Sequence, residues 1–134
     1  MNTNLFEKFR ELGLPTGKYV IFGSGPMAIR GLKESNDIDA VVLPDVFEKY
    51  KNNSEWELTK IESWDVDSLR CGDIELLNGW GPGLWNVQNI IDKAEIIDGL
   101  TFVRLEEVLK WKKMMNREKD KKDVEIIENY LRGK

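Results

Sequence analysis

Four apolar residues, Tyr19-Val20-Ile21-Phe22, run straight into Gly23-Ser24-Gly25-Pro26, and this junction constrains the chain more than any other stretch. With Lys18 ahead of it the run is too short for a helix and reads as a strand over Lys18–Phe22, which the glycines and the proline cannot continue. Proline is favoured in the first turn of a helix, so the pattern predicts a helix over Met27–Lys33, starting just past the Gly-Ser step. An acidic pair, Asp37 and Asp39, then opens a second apolar run over Ile38–Leu43. The chain therefore mixes strands with helices from its first third onward.

The other elements follow from periodicity and breakers. Leu5, Phe6, Phe9 and Leu12 fall at helical spacing near the start, with Asn4 and Glu7 in a capping-box pattern and Gly13 as the stop. Pro44-Asp45 opens a helix that turns Val46, Phe47 and Tyr50 inward, and Asn52-Asn53-Ser54 breaks it. Strands are predicted over Trp56–Ile61, Val66–Arg70 and Asp73–Leu77. Gly79-Trp80-Gly81-Pro82-Gly83 can only be a loop. Two short apolar pieces flank Asp98-Gly99, a hairpin turn. Helices over Leu105–Met115 and Asp120–Leu131 close the chain, the second with Val124, Ile127 and Leu131 on one side. At 134 residues with 41% hydrophobic content, residues 1–134 make one domain with a core of its own.

Absences narrow the chemistry. The chain has no histidine, which excludes a Ser-His-Asp or Cys-His nucleophile, a histidine base and a histidine-ligated zinc. The single cysteine, Cys71, can form neither an intramolecular disulfide nor a Cys-rich cluster and reads as a small buried apolar residue. Catalysis is left to carboxylates, Lys, Arg, hydroxyls and a metal held by oxygen. No apolar run approaches the ~20 residues of a membrane span, and Met1–Gly13 lacks a signal-peptide core, so a soluble cytoplasmic protein is expected. The net charge of −4 is unevenly spread: from Lys110 onward there are nine basic and five acidic residues, leaving residues 1–109 at −8. The basic end is either a solvated helix face or the counterpart of an acidic site that shares an anionic ligand with it.

The central constellation has two halves. A glycine and a small hydroxyl residue ahead of a helix let phosphate oxygens approach backbone N–H groups at the positive end of the helix dipole. After twelve intervening residues, Asp37 and Asp39 stand two apart on a strand, so both side chains reach one face, about 7 Å apart along the chain. Crowded carboxylates need a cation, and Mg²⁺ takes oxygen ligands while sharing them with substrate phosphates. A phosphate cradle beside such a pair is the equipment of phosphoryl or nucleotidyl transfer. Asp73-Ile74-Glu75 supplies a third acid on another strand. Glu75 completes the set if that strand lies beside the first acidic one, and Asp73, on the same face, competes for the role.

Gly23-Ser24, Ile29-Arg30-Gly31 and Ser35-Asn36-Asp37-Ile38-Asp39-Ala40-Val41 together resemble the signature of the polymerase-β-like nucleotidyltransferases, in particular their minimal forms. Lys112, Arg117, Lys119, Asp120 and Asp123 resemble the helix signature of the abortive-infection-like branch. The resemblance implies an α/β (α+β) fold, a mixed sheet flanked by helices with two helices at the C-terminus. It also implies two Mg²⁺ ions, with Mn²⁺ as a substitute, and transfer of a nucleoside monophosphate from a nucleoside triphosphate, ATP among the candidates. By the same resemblance Gly23 and Ser24 would hold the triphosphate, and Asp37 and Asp39 both metals. Glu75 would be the third carboxylate and metal ligand, helping to activate the acceptor hydroxyl. Lys112 or Arg117 would meet phosphate charge. Arg30 either contacts phosphate or caps its own helix.

Trp80 and Trp85 flank the Gly-Pro loop, where either can stack on a nucleobase or close the core from its rim; Trp56, Trp64 and Trp111 read as packing residues. A dehalogenase-type phosphatase places its acidic pair at the end of an apolar strand, whereas here the run follows the pair. A glycosyltransferase with a metal-binding acidic pair needs a longer sugar-nucleotide domain. Two functions remain: a nucleotidyltransferase acting on a protein, RNA or small-molecule hydroxyl, or a catalytically silent binding module, such as one half of a toxin–antitoxin complex, with a partner protein.

Overall fold

The computed structural model describes residues 3–83 and 85–133, with side chains from Leu5 onward. Seven strands and six helices are found among them: α1 (Thr3–Arg10), β1 (Tyr19–Phe22), α2 (Gly25–Ala28), β2 (Ile38–Val42), α3 (Pro44–Lys51), β3 (Glu57–Ile61), β4 (Val66–Cys71), β5 (Ile74–Leu77), α4 (Val87–Lys93), β6 (Glu95–Ile97), β7 (Leu100–Phe102), α5 (Leu105–Met115) and α6 (Glu118–Arg132). The strands form one mixed sheet in the order β3-β4-β5-β2-β1-β7-β6. β2 runs antiparallel to β1 and parallel to β5, while β1 and β7 are parallel. No helix among the described residues is long and apolar enough to cross a membrane.

Side-chain alternation divides the core into two layers. Tyr19, Ile21, Ile38, Ala40, Val42, Leu76 and Phe102 point to one face, where Leu5, Phe6 and Phe9 of α1 and Val46, Phe47 and Tyr50 of α3 cover them. Val20, Phe22, Val41, Leu77 and Val103 point to the other, under Ile90 and Ile91 of α4, Val108 and Trp111 of α5 and Ile127 of α6. Asp37 and Asp39 keep step with Val41, and Glu75 with Leu77. All three acids thus belong to the face that the two C-terminal helices cover.

Several elements differ from expectation. The helix predicted over Met27–Lys33 is a single turn, Gly25–Ala28, because Gly31 bends the chain away at φ +74°. α4 was not anticipated; its Asn86 cap, accepting a hydrogen bond from the Asn89 N–H at 2.9 Å, is hidden in a stretch dominated by the Gly-Pro loop. β3 is exposed from Glu57 to Lys60 at one edge of the sheet, with Ile61 alone partly buried. Cys71 is half-buried rather than buried and carries a free thiol. The cap expected from Asn4 lies outside the described side chains.

Candidate functional site

Strand register assembles the acidic row. Phe22 pairs with Asp39, Asp39 with Glu75, and Glu75 with Arg70, so four residues from β1, β2, β5 and β4 lie side by side. Adjacent strands are about 4.8 Å apart, which crowds the Asp39 and Glu75 carboxylates. Asp37 joins them from just ahead of β2. Asp73 does not: it is half exposed and meets Lys8 of α1 at 3.4 Å. Glu75, not Asp73, is therefore the acid beside Asp39.

The charges in this row are poorly compensated. Burial, then the nearby Asp37 and Glu75, push the Asp39 carboxyl up from 3.8 to about 7, and Arg70 only partly counters them. Glu75 accepts hydrogen bonds from the Ser68 hydroxyl and from Arg70 Nη2, the latter at 2.9 Å. The same guanidinium nitrogen stands 3.8 Å from Asp37 Oδ2. Arg70 was missed in the sequence, although a β4–β5 hairpin turning at Gly72 places it opposite Glu75.

The turn after β1 presses on this row. Gly23 has φ +67°, and a Cβ there would lie 2.9 Å from Asp39 Oδ2, so only glycine lets the turn sit against the carboxylate. The Ser24 and Ser35 hydroxyls are 2.6 Å apart, and Ser35 donates to the Asp37 carbonyl at 2.7 Å. These two bonds tie the turn to the start of β2.

Gly23, Ser24, Asp37 and Asp39 form one side of a cavity of about 480 Å³, and Lys33, Lys112, Arg117 and Lys119 bring cations to it. Glu75 stands behind Asp39 and is not among the lining residues. Arg30 is directed elsewhere: it donates to the Pro26 carbonyl at 2.8 Å and pairs with Glu95, so it takes the helix-capping option and does not line the cavity. Tryptophans make a third wall. Trp64 and Trp111, read as packing residues, line the cavity together with Trp80, whereas Trp85 does not and donates to the Pro82 carbonyl. Trp80 is buried and stacks on Phe22 at 4.3 Å, while Trp64 is half-buried.

The basic side is built from a buried ionic network. Lys112 bonds Asp123 at 3.0 Å and stands 3.7 Å from Asp120; Lys33 reaches the same Asp123 oxygen at 2.6 Å. Arg117 grips Asp120 through two guanidinium nitrogens, at 2.6 and 3.0 Å, and its own N–H caps α6 on that carboxylate. Burial alone would raise both aspartates. The bonds from Arg117 to Asp120, and from Lys33 and Lys112 to Asp123, more than offset this and hold both carboxyls below their usual range. Four cations against Asp120, Asp123 and Glu34, which also lines the cavity, leave this side positive. Lys112 and Arg117 thus meet protein carboxylates as well as the cavity.

The donor chemistry fits a hard divalent cation: oxygen-only side chains, crowded and short of positive charge. Among the described residues no three Asp, Glu or Cys side chains are gathered into a finished metal cluster, since Glu75 is turned toward Ser68 and Arg70. Both halves of the constellation predicted from sequence, and the two C-terminal cations, nonetheless open on the same cavity. No family model matches this chain, and no match is found among the curated proteins with which it was compared.

Proposed function

We propose that the chain is a metal-dependent nucleotidyltransferase, moving a nucleoside monophosphate from a nucleoside triphosphate to a hydroxyl on a protein, an RNA or a small molecule. The observation that carries the reading is the convergence on one cavity of the Gly23-Ser24 turn, the Asp37–Asp39 pair and the cations of α5 and α6. The seven-stranded mixed sheet with an acidic row across its strands accords with a nucleotidyltransferase-like fold, and a supply of triphosphate accords with a cytoplasmic setting.

Asp37 and Asp39, with Glu75 beside them, would hold Mg²⁺ or Mn²⁺. Such a cation, when bound, supplies charge neutralisation for the phosphates and acidifies the attacking hydroxyl. The turn at Gly23-Ser24 offers close backbone approach to the triphosphate, and the positive side of the cavity offsets the remaining phosphate charge. In-line attack on the α-phosphorus forms the new P–O bond and breaks the α–β bridging bond. Pyrophosphate leaves, and the hydroxyl proton passes to the acidic side of the cavity, where Asp39 lies between the cavity and Glu75. Positioning and charge carry such a step, so the lack of histidine is no obstacle.

One observation favours a second reading, a silent binding module with a partner protein: Arg70, Lys112 and Arg117 already engage protein carboxylates. Calorimetric titration of a non-hydrolysable triphosphate with and without Mg²⁺, followed by assay of pyrophosphate release over a panel of hydroxyl acceptors, separates the two. Mg²⁺-dependent binding that Asp39→Asn abolishes, together with pyrophosphate release, is the expected result. Activity unchanged in that variant would reject the metal site.

A further inference from the structure

Arg70 is unlike the other cations near the cavity. The difference lies in the partners: Lys112 and Arg117 bond aspartates that are almost fully buried, whereas Arg70, no more buried than Arg117, meets Asp37 at 46% exposure and Glu75 at 19%. Its Nη2 lies 2.9 Å from Glu75 and 3.8 Å from Asp37, and its Nη1 donates to the Gly72 carbonyl at 3.3 Å. It therefore straddles two of the three acids that the proposed metal needs. An ion pair so open to water is weakly held, and the long side chain can leave without unpacking the core.

We infer that Arg70 is a resident counter-cation: it holds Asp37 and Glu75 when no metal is bound and competes with a divalent cation for them. The inference rests on the metal-dependent reading above. It follows that the protein alone binds a divalent cation less tightly than its carboxylates allow. A triphosphate arriving with its own Mg²⁺ would shift the balance, because the phosphates add oxygen ligands that the guanidinium cannot supply.

The test uses the full chain with Mn²⁺ alone, free Mn²⁺ being followed by electron paramagnetic resonance and folding by circular dichroism. Arg70→Gln should bind Mn²⁺ about tenfold more tightly than the parent chain, having lost both the competing bonds and the local charge. Arg70→Lys keeps the charge but not the second nitrogen that anchors the side chain on the Gly72 carbonyl, and should gain about threefold, deciding the matter alone should the glutamine variant fail to fold. Parent chain and variants binding Mn²⁺ equally would overturn the inference and leave the metal reading standing. A gain in Arg70→Gln with none in Arg70→Lys would reduce the effect to long-range charge and overturn it too. Absence of Mn²⁺ binding in every chain would overturn both.

Discussion

Replacing Asp39 with asparagine should make this protein more stable while abolishing its affinity for a metal-chelated nucleotide. The Asp39 carboxyl titrates near 7 in the fold instead of 3.8, through burial and the crowding of Asp37 and Glu75. Each unit is worth about 1.4 kcal/mol, so keeping Asp39 ionised in the folded chain costs about 4 kcal/mol. Between those two values the folded chain binds more protons than the unfolded one. The contribution to stability is therefore complete below pH 3.8, falls across the interval and is gone above about 7. Asparagine is neutral throughout, and its amide can donate to Glu75 in place of the Asp39 proton.

The expected gain is about 2–4 kcal/mol at pH 8.5 and close to zero at pH 4, since partial relaxation in the parent chain absorbs some of the cost. For a domain of this length that is about 8–15 °C in Tm, read from thermal melts in the presence of a chelator. Added Mg²⁺ and triphosphate should then raise the Tm of the parent chain and leave that of Asp39→Asn where it was. Equal Tm values at pH 8.5, or a lower one for the variant, would refute the claim that Asp39 carries an uncompensated charge.

Other substitutions probe the remaining walls. Gly23→Ala puts a Cβ 2.9 Å from Asp39 Oδ2 at a left-handed φ; it should cost about 1–3 kcal/mol by denaturant titration and weaken triphosphate binding, measured by calorimetry. Asp123→Ala strips the closest partner from buried Lys112 and should cost about 3 kcal/mol, of which Lys112→Met in the same chain recovers about half, again by denaturant titration. Trp64→Ala, on the half-buried edge of the aromatic wall, should weaken nucleotide binding by about 1–3 kcal/mol in a calorimetric titration if a base stacks there, with little change in the Mn²⁺ affinity.

Local chemistry was legible in the sequence, and long-range partnership was not. The first strand, the Gly-Ser turn and the acidic strand are each decided within a few residues. So is the Asp98-Gly99 hairpin, whose two residues take the positive φ angles, +52° and +79°, that such a turn demands. Val46, Phe47 and Tyr50 of α3 are buried as their spacing requires. Which of its two options Arg30 takes could not be read, because its partner, Glu95, is 65 residues away. Trp64 looked like packing because the cavity it faces is closed by Trp111, on a helix remote in sequence. Lys112 could be placed on a helix, but its burial depends on Asp123 of the next one. Several residues that line the cavity could be named; which charges cancel one another could not.

Charge separation across the cavity explains why an acidic site and a basic one should share it. A bare polyanion drawn to Lys33, Lys112, Arg117 and Lys119 would meet Asp37 and Asp39 in the same cavity, and a bare cation drawn to the acids would meet four positive side chains there. Neither ligand alone satisfies the field of both walls. On the proposed reading, a polyphosphate carrying its own divalent ion would, with the cation turned to the β2 acids and the outer phosphates to α5 and α6. The uncompensated proton affinity of Asp39 at one wall and the surplus of cations over Asp120 and Asp123 at the other are then two halves of a single requirement. On this account, removing either charge alone should weaken metal and triphosphate binding together. Independent loss of one without the other would separate the walls into unrelated sites.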